Sequence, residues 1–344
     1  VEGEGRRDSG PMVNKSMGQT FMVLNRAKRA IAINLKDPAG REAFLRLAAT
    51  ADAMVHNARV QAMKRLRLDY EHVRKVKPDI AYCYAVGFGS KGRYAGRPAY
   101  DDIIQGLSSL PSLLNTTTGK TTFVPINFAD RVTGIHLANA TLAALLHRAR
   151  TGEGQEVEVP MFETMAEMVL SEHLWSDYFV PPRKVKNRNR MFDRRPYKTK
   201  DGYICVMASG EKMFSAFCDI IDRPELKTDP RFAHRSQRTN HLPEVYEITE
   251  AALATRTSAE WIDILNRAGV PCGPIYSIDQ VFADPQVQTL GMVQEVESRK
   301  LGKQKLVGQP VFLSRTGSRM RRATPEHGEH NDEILASLGY DAAA

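Results

Sequence analysis

The run Asp79–Val86 (DIAYCYAV) constrains the fold more than any other stretch. It is apolar at every position after the first, and a strand of that kind belongs in a sheet covered on both faces. Helix-patterned segments separate it from the other strand-like runs, so the connections have the length of crossovers and the pattern is that of α/β units. Ala30–Leu35 reads as a strand, Asp37–Pro38 as the cap and first turn of a helix reaching about Thr50, Met54–His56 as a short strand, and Gln155–Val159 as another. Tyr100–Leu110 and Met161–Tyr178 read as helices, and the Met-rich face of the second reads as packing.

The pattern restarts after the basic run Arg183–Lys200 (RKVKNRNRMFDRRPYKTK), which follows Pro181–Pro182. Gly202–Ala208 is strand-like, helices follow near Lys212–Ile221, His241–Ala254 and Ser258–Ala268, and Gly269–Pro274 (GVPCGP) reads as a rigid turn. Val307–Leu313 reads as a returning strand before a final helix at His330–Leu338. A separate, smaller domain in the middle of the chain is the expectation.

At 344 residues the chain is long enough for a large core. No apolar run is long enough to span a bilayer, and no membrane partner is expected. Cys83, Cys205, Cys218 and Cys272 lie far apart with no CxxC pair, so neither a zinc site nor a disulfide framework is suggested. Reduced thiols and a cytoplasmic home follow as expectations. The net charge of +8 fits a nucleic acid or a phosphorylated cofactor equally well. Because the basic run carries no nucleic-acid module or aromatic ladder, it reads as a solvated linker, and no nucleic-acid partner is expected.

Within Val124–Leu146 (VPINFADRVTGIHLANATLAALL), one acid, Asp130, stands at the threshold of a long apolar helix. Apolar and small residues occupy every face from Arg131 to His147, so the helix is expected inside the protein. His147, Arg148 and Arg150 fall in its last turn and Gly152 stops it. Asp130 has two readings, a helix cap or a carboxylate for chemistry at the positive end of a buried helix. Gly87–Gly92 (GFGSKG) matches the dinucleotide fingerprint literally, but Arg93–Pro98 continues as loop where that site needs a helix. Its glycines read as permitting a tight, closely approached loop.

Several stretches in order resemble the class III CoA-transferases, a family that includes formyl-CoA and carnitine CoA-transferases and is related to α-methylacyl-CoA racemase. They are NRAKRAIAINLKDPAGREAF at 25–44, His56–Arg59 (HNAR), RLRLDYE at 65–71, GFGSKGRYAGRPAYDDIIQGLS at 87–108, FADRVTGIH at 128–136, RTGEGQEVEVPMFETM at 150–165, GVPCGPIYS at 269–277 and GEHNDEIL at 328–335. The resemblance implies an interlocked homodimer whose Rossmann-like large domain is built from both chain ends around an inserted α+β domain. The boundaries expected here are 1–180 for the large domain, 181–200 for the basic linker, 201–295 for the small domain and 296–344 for the return. The chain opens at VEGEGRRDSG, and Val1–Glu2 resembles the end of the family's first strand and helix, which are expected to be missing.

The resemblance also implies that Asp130 is the catalytic nucleophile. A carboxylate suits the reaction, because attack on a thioester yields a mixed anhydride that is equally activated. CoA enters as the acyl-carrying co-substrate, with no metal, and the second substrate is a small carboxylic acid. CoA's phosphates call for fixed cations. Arg26, Lys28 and Arg29 lie in the segment resembling the family's first CoA-binding element, and Asn57, Arg59 and Arg65 in its second. Tyr100 and Asp101 are expected to line the acyl pocket, with Glu211 as a further substrate-binding candidate.

Two departures are visible. Where the family often reads ENFRPG, this chain has HNARVQ at 56–61, and the glycine-rich lid of formyl-CoA transferase is replaced by NRNRMFDRRP at 187–196. The racemase branch adds a His where this chain has Tyr100, a poor base at neutral pH, although Glu211 falls near the racemase Glu. CoA transfer is therefore expected, with racemisation and a catalytically inactive CoA-binding homologue as the alternatives.

Overall fold

The computed structural model describes residues 3–12, 15–183, 194–299 and 301–341. Val1, Glu2 and positions 184–193 of the basic run, with most of the segment that replaces the lid, lie outside the described residues. The chain forms two compact units, one from Val1–Ala99, Arg131–Met161 and Ile278–Ala344, the other from Tyr100–Asp130 and Phe162–Ser277.

The first unit carries a mixed α/β core. Strands β1 (Ala53–His56), β2 (Ala81–Val86) and β3 (Gln155–Pro160) pair in parallel in that order. Helix α1 (Pro38–Ala49) starts as expected, with the Asp37 side chain accepting the Ala39 N–H at 2.9 Å. Side chains alternate across β2, and each set finds a cover. Ala81 and Cys83 pack against Ala144, Leu137 and Leu145 of α2 (Phe128–Thr151), whereas Tyr82 and Tyr84 pack with Phe44 and Ala48 of α1 and with Val73. Ile80, just ahead of β2, is fully buried in the second cluster, which is worth about 1.5–3 kcal/mol.

The far end of α2 is stapled to the sheet. Arg148 donates from Nε to Asp79 Oδ2 at 2.6 Å and from Nη1 to Asp52 Oδ1 at 2.8 Å. Gly154, in the turn into β3, admits the backbone of residues 79–80 so closely that a Cβ would stand 2.4 Å from the Asp79 carbonyl carbon.

The structure corrects five expectations in these elements. Among the described residues helix α2 is not covered on every face. Ile135, Leu142 and Leu146 are 62%, 65% and 52% exposed on the side opposite the sheet, because one sheet covers only one stripe of a helix that is apolar all round. Ala30–Leu35 forms no strand. Its backbone groups pair instead with the segment Glu329–Asn331: Ala30 N–H donates to His330 Nδ1 at 3.2 Å, Ala32 N–H to Asn331 Oδ1 at 2.8 Å, and Asn331 Nδ2 to Ala32 O at 3.1 Å. The late strand is Gly302–Val307, paired antiparallel with Val293–Ser298, and not 307–313. The helix expected over Tyr100–Leu110 ends at Leu107, and after left-handed Ser109 (φ 71°) a second helix, Leu110–Thr118, begins. Helix Met161–His173 stops before 178, where a 3-10 turn, Trp175–Tyr178, follows.

The second unit holds an antiparallel sheet of Tyr197–Lys198, Tyr203–Val206 and Cys272–Pro274. The third strand corrects the rigid-turn reading of GVPCGP, since Cys205 lies opposite Gly273 in the ladder. Helices Glu211–Ile220, Leu242–Leu253 and Ser258–Arg267 cover it, with Ile204, Phe217, Leu253, Trp261 and Leu265 in the core. The Trp261 indole N–H is satisfied by Leu253 O at 2.8 Å. Among the described residues no helix is long and apolar enough to cross a membrane.

Candidate active site

Asp130 is not the cap of α2. It is the third residue of the helix, in the first turn, and its own N–H is held by another side chain: Asp101 Oδ1 accepts it at 3.0 Å. A carboxylate there satisfies an N-terminal amide and opposes the helix dipole. Asp101 is buried, at the start of helix Asp101–Leu107, and its other oxygen is also engaged. Gln105, one turn later and fully buried, donates Nε2 to Asp101 Oδ2 at 2.6 Å. Gln105 cannot turn round. Its Oε1 accepts the Val124 N–H at 3.0 Å, and its Nε2 also faces Val124 O and Ile126 O at 3.3 and 3.4 Å. A buried bracket therefore fixes both the approach to α2 and the backbone of Asp130, as buried polar groups with complete partners do.

The other acyl-pocket candidates have different surroundings. Tyr100 precedes the helix and is 69% exposed, while both Asp101 oxygens serve the bracket. Glu211 is engaged by its own unit: Oε1 accepts the Arg235 N–H at 2.7 Å and Oε2 the Arg238 guanidinium at 2.9 Å. Those partners, the Arg235 N–H foremost, hold its carboxyl below the usual range. Arg238 is buried and also donates to Phe232 O and Ser209 O at 2.8 and 3.0 Å.

The candidate CoA contacts lie in two stretches of the first unit. Arg26 is half-buried and donates to Val23 O, Lys28 donates to Asn25 Oδ1 at 3.2 Å, and Arg29 pairs with Glu333 at 2.8 Å. Asn57, Arg59 and Arg65 are exposed in the turn and helix after β1. Sequence reasoning missed what holds that turn. His56 Nδ1 accepts the Ala58 N–H at 3.2 Å, and Tyr82 OH donates to Leu68 O at 2.9 Å. The remaining contact, His56 Nε2 to Tyr82 OH at 2.9 Å, must then be an Nε2–H donating, which makes the imidazole neutral. The ring stacks on Tyr84 with centroids 5.5 Å apart, and burial pushes its pKa down. These contacts hold the HNARVQ turn, which lacks the Pro and Gly of its ENFRPG counterpart.

The GFGSKG loop reaches Asp101 without forming a helix, so no dinucleotide site is built there. A Cβ on Gly87 would stand 2.4 Å from Ala99 Cβ, the close approach that its glycine permits. Among the described residues no group of three or more His, Cys, Asp or Glu side chains is placed to hold a metal ion.

The family model described as CoA-transferase family III matches residues 1–331. The succinate–glutarate CoA-transferase of Agrobacterium fabrum is 31% identical over 339 residues, covering 95% of this chain and 84% of that protein. The acetyl-CoA:oxalate CoA-transferase of Acetobacter aceti is 32% identical over 315 residues, 91% of this chain and 79% of that one. Among solved structures, the hypothetical protein Rv3272 of Mycobacterium tuberculosis superposes with a TM-score of 0.82 at 26% identity, covering 97% of this chain and 89% of that one.

Proposed function

The chain belongs to CoA-transferase family III, and on that premise we propose that it moves CoA from an acyl-CoA thioester to a short dicarboxylic acid, with Asp130 as nucleophile. The observation that carries this reading is the placement of Asp130 in the first turn of α2, with its backbone gripped by the buried Asp101–Gln105 bracket. The acceptor class is supported by the relatives above, whose names specify succinate, glutarate and oxalate.

The Asp130 carboxylate attacks the thioester carbon, the C–S bond breaks, and CoA thiolate leaves a mixed anhydride. Thiolate then attacks the Asp130 carbonyl, releasing the donor acid and forming an aspartyl-CoA thioester. The acceptor carboxylate attacks that thioester and expels thiolate, which attacks the acyl carbon of the second anhydride. New acyl-CoA leaves and the Asp130 carboxylate is restored. No acyl or CoA group is lost so long as water stays out.

CoA is held by the cations at Arg26, Lys28, Arg29, Arg59 and Arg65, with Asn57 beside them. The working form is an interlocked homodimer with a Rossmann-like large domain, and the bare apolar face of α2 supports a second copy of the chain as its cover. A racemase is disfavoured by two features: Tyr100 stands where the racemase branch has its His, and both oxygens of Glu211 are already bonded.

Succinyl-CoA and acetyl-CoA, each offered glutarate, succinate or oxalate, test the proposal by mass spectrometry. The expected result is CoA exchange and a hydroxylamine-sensitive adduct on the peptide containing Asp130. Asp130→Asn is expected to bind CoA while turnover falls at least about 10³-fold. Deuterium washed from solvent into a 2-methylacyl-CoA, with no adduct from any ester, would replace this reading with the racemase.

A further inference from the structure

An open cleft of about 330 Å³ is lined by Ala27, Arg29, Arg319, Arg321 and Arg322. Four arginines thus line one hollow, and of these Arg29 pairs with Glu333 at 2.8 Å. Among the described residues Arg319, Arg321 and Arg322 make no ion pair, although Arg322 does lend its field to Glu333. Like charges converging on a concave surface focus a positive potential, and the arrangement is relieved only by an anion or by water.

The cleft is also fixed in shape. Ala27 N–H donates to Arg322 O at 3.1 Å, joining the two walls, and Ala27 itself has a left-handed backbone (φ 62°). A non-glycine residue held there is strained and persists where surrounding contacts impose it. Arg319 and Arg321 stand two apart in a segment outside any helix or strand, and both are exposed.

We propose that this cleft binds the 3′-phosphate of CoA, with Arg319 and Arg321 completing a cradle begun by Arg29. The inference rests on the CoA reading above and adds to it two residues that no resemblance supplied. The choice among CoA's phosphates follows from charge. A phosphomonoester carries close to two negative charges at neutral pH and offers three terminal oxygens, whereas each phosphate of the diphosphate linkage carries one charge. Several guanidinium forks around one hollow match the dianion.

Calorimetric titration of the full chain with CoA and with dephospho-CoA, which lacks only the 3′-phosphate, tests this. Wild-type protein is expected to prefer CoA by roughly tenfold or more, in line with charge-assisted contacts to a phosphate. Arg319→Gln/Arg321→Gln is expected to lose most of that preference while binding dephospho-CoA as wild type does. Both side chains are exposed, so an unchanged thermal midpoint checks that the variant is folded. Equal wild-type affinity for the two ligands, or an undiminished preference in the double variant, would overturn the inference and leave the CoA reading standing. Wild-type protein that binds neither ligand would sink both.

Discussion

Asp101 and Asp130 are carboxylates 29 positions apart with separate duties, one buried and holding a backbone, the other placed by it. Asp101→Asn tests that division. Gln105 presents Nε2 to position 101 and cannot reverse without losing its bonds to Val124 and Ile126. An Asn that still accepts the Asp130 N–H therefore sets its amide NH₂ against that Nε2, and two buried donors face each other. The expected outcome is a loss of about 1–3 kcal/mol in urea unfolding, the cost of an unmet buried donor, and a fall in kcat of about tenfold to a hundredfold, the scale of small misplacements. CoA affinity should not move. An unchanged kcat beside the stability loss would reduce the bracket to a structural role. In the sequence, Asp130 stood out because a helix start and a family context converge on it. The bracket did not, since nothing local marks Gln105 as buried or joins residue 101 to 130. The partners of Glu211 were hidden for the same reason: Arg235 and Arg238 lie a loop away.

Elements whose periodicity decides their burial were readable: DIAYCYAV as a doubly covered strand, DPAG as a capped helix start, and the three helices that cover the antiparallel sheet of the second unit. Segments whose partner lies elsewhere were not. Ala30–Leu35 has the composition of a strand, but side chains at 330 and 331 meet its polar groups, and Cys272–Pro274 becomes a strand only because Tyr203–Val206 offers an edge. The turn after β1 belongs with these, because its lock is His56 against two tyrosines of β2. That lock has a pH signature. Burial lowers the folded pKa of His56 below its ordinary 6.5, so the unfolded chain takes up a proton that the native protein resists. The contribution is fully present above about pH 6.5 and declines as pH falls below it. Urea midpoints measured from pH 8 to pH 5 should fall more steeply for wild type than for His56→Phe. Parallel slopes would show that His56 is not the group responsible.

For the whole molecule, the helix that is apolar on every side was legible, but what covers its outer face was not. Ile135, Leu142 and Leu146 recur on one face and remain bare. With a second copy as their cover, Leu142→Glu should turn a dimer into monomer or aggregate in sedimentation velocity, because it places a charge in an apolar interface. A dimer of unchanged stability would place the interface elsewhere. The pairing of Ala30 and Ala32 with His330 and Asn331 spans about 300 positions of chain. During synthesis those early residues leave the ribosome long before their partners exist, and the whole second unit is made in between. Local helices and the second unit can form as they emerge, but the first unit closes only when residue 331 is free. Until then residues 30–32 wait with their backbone groups unmatched, so arrest of translation anywhere before that point strands a chain whose first unit is still open.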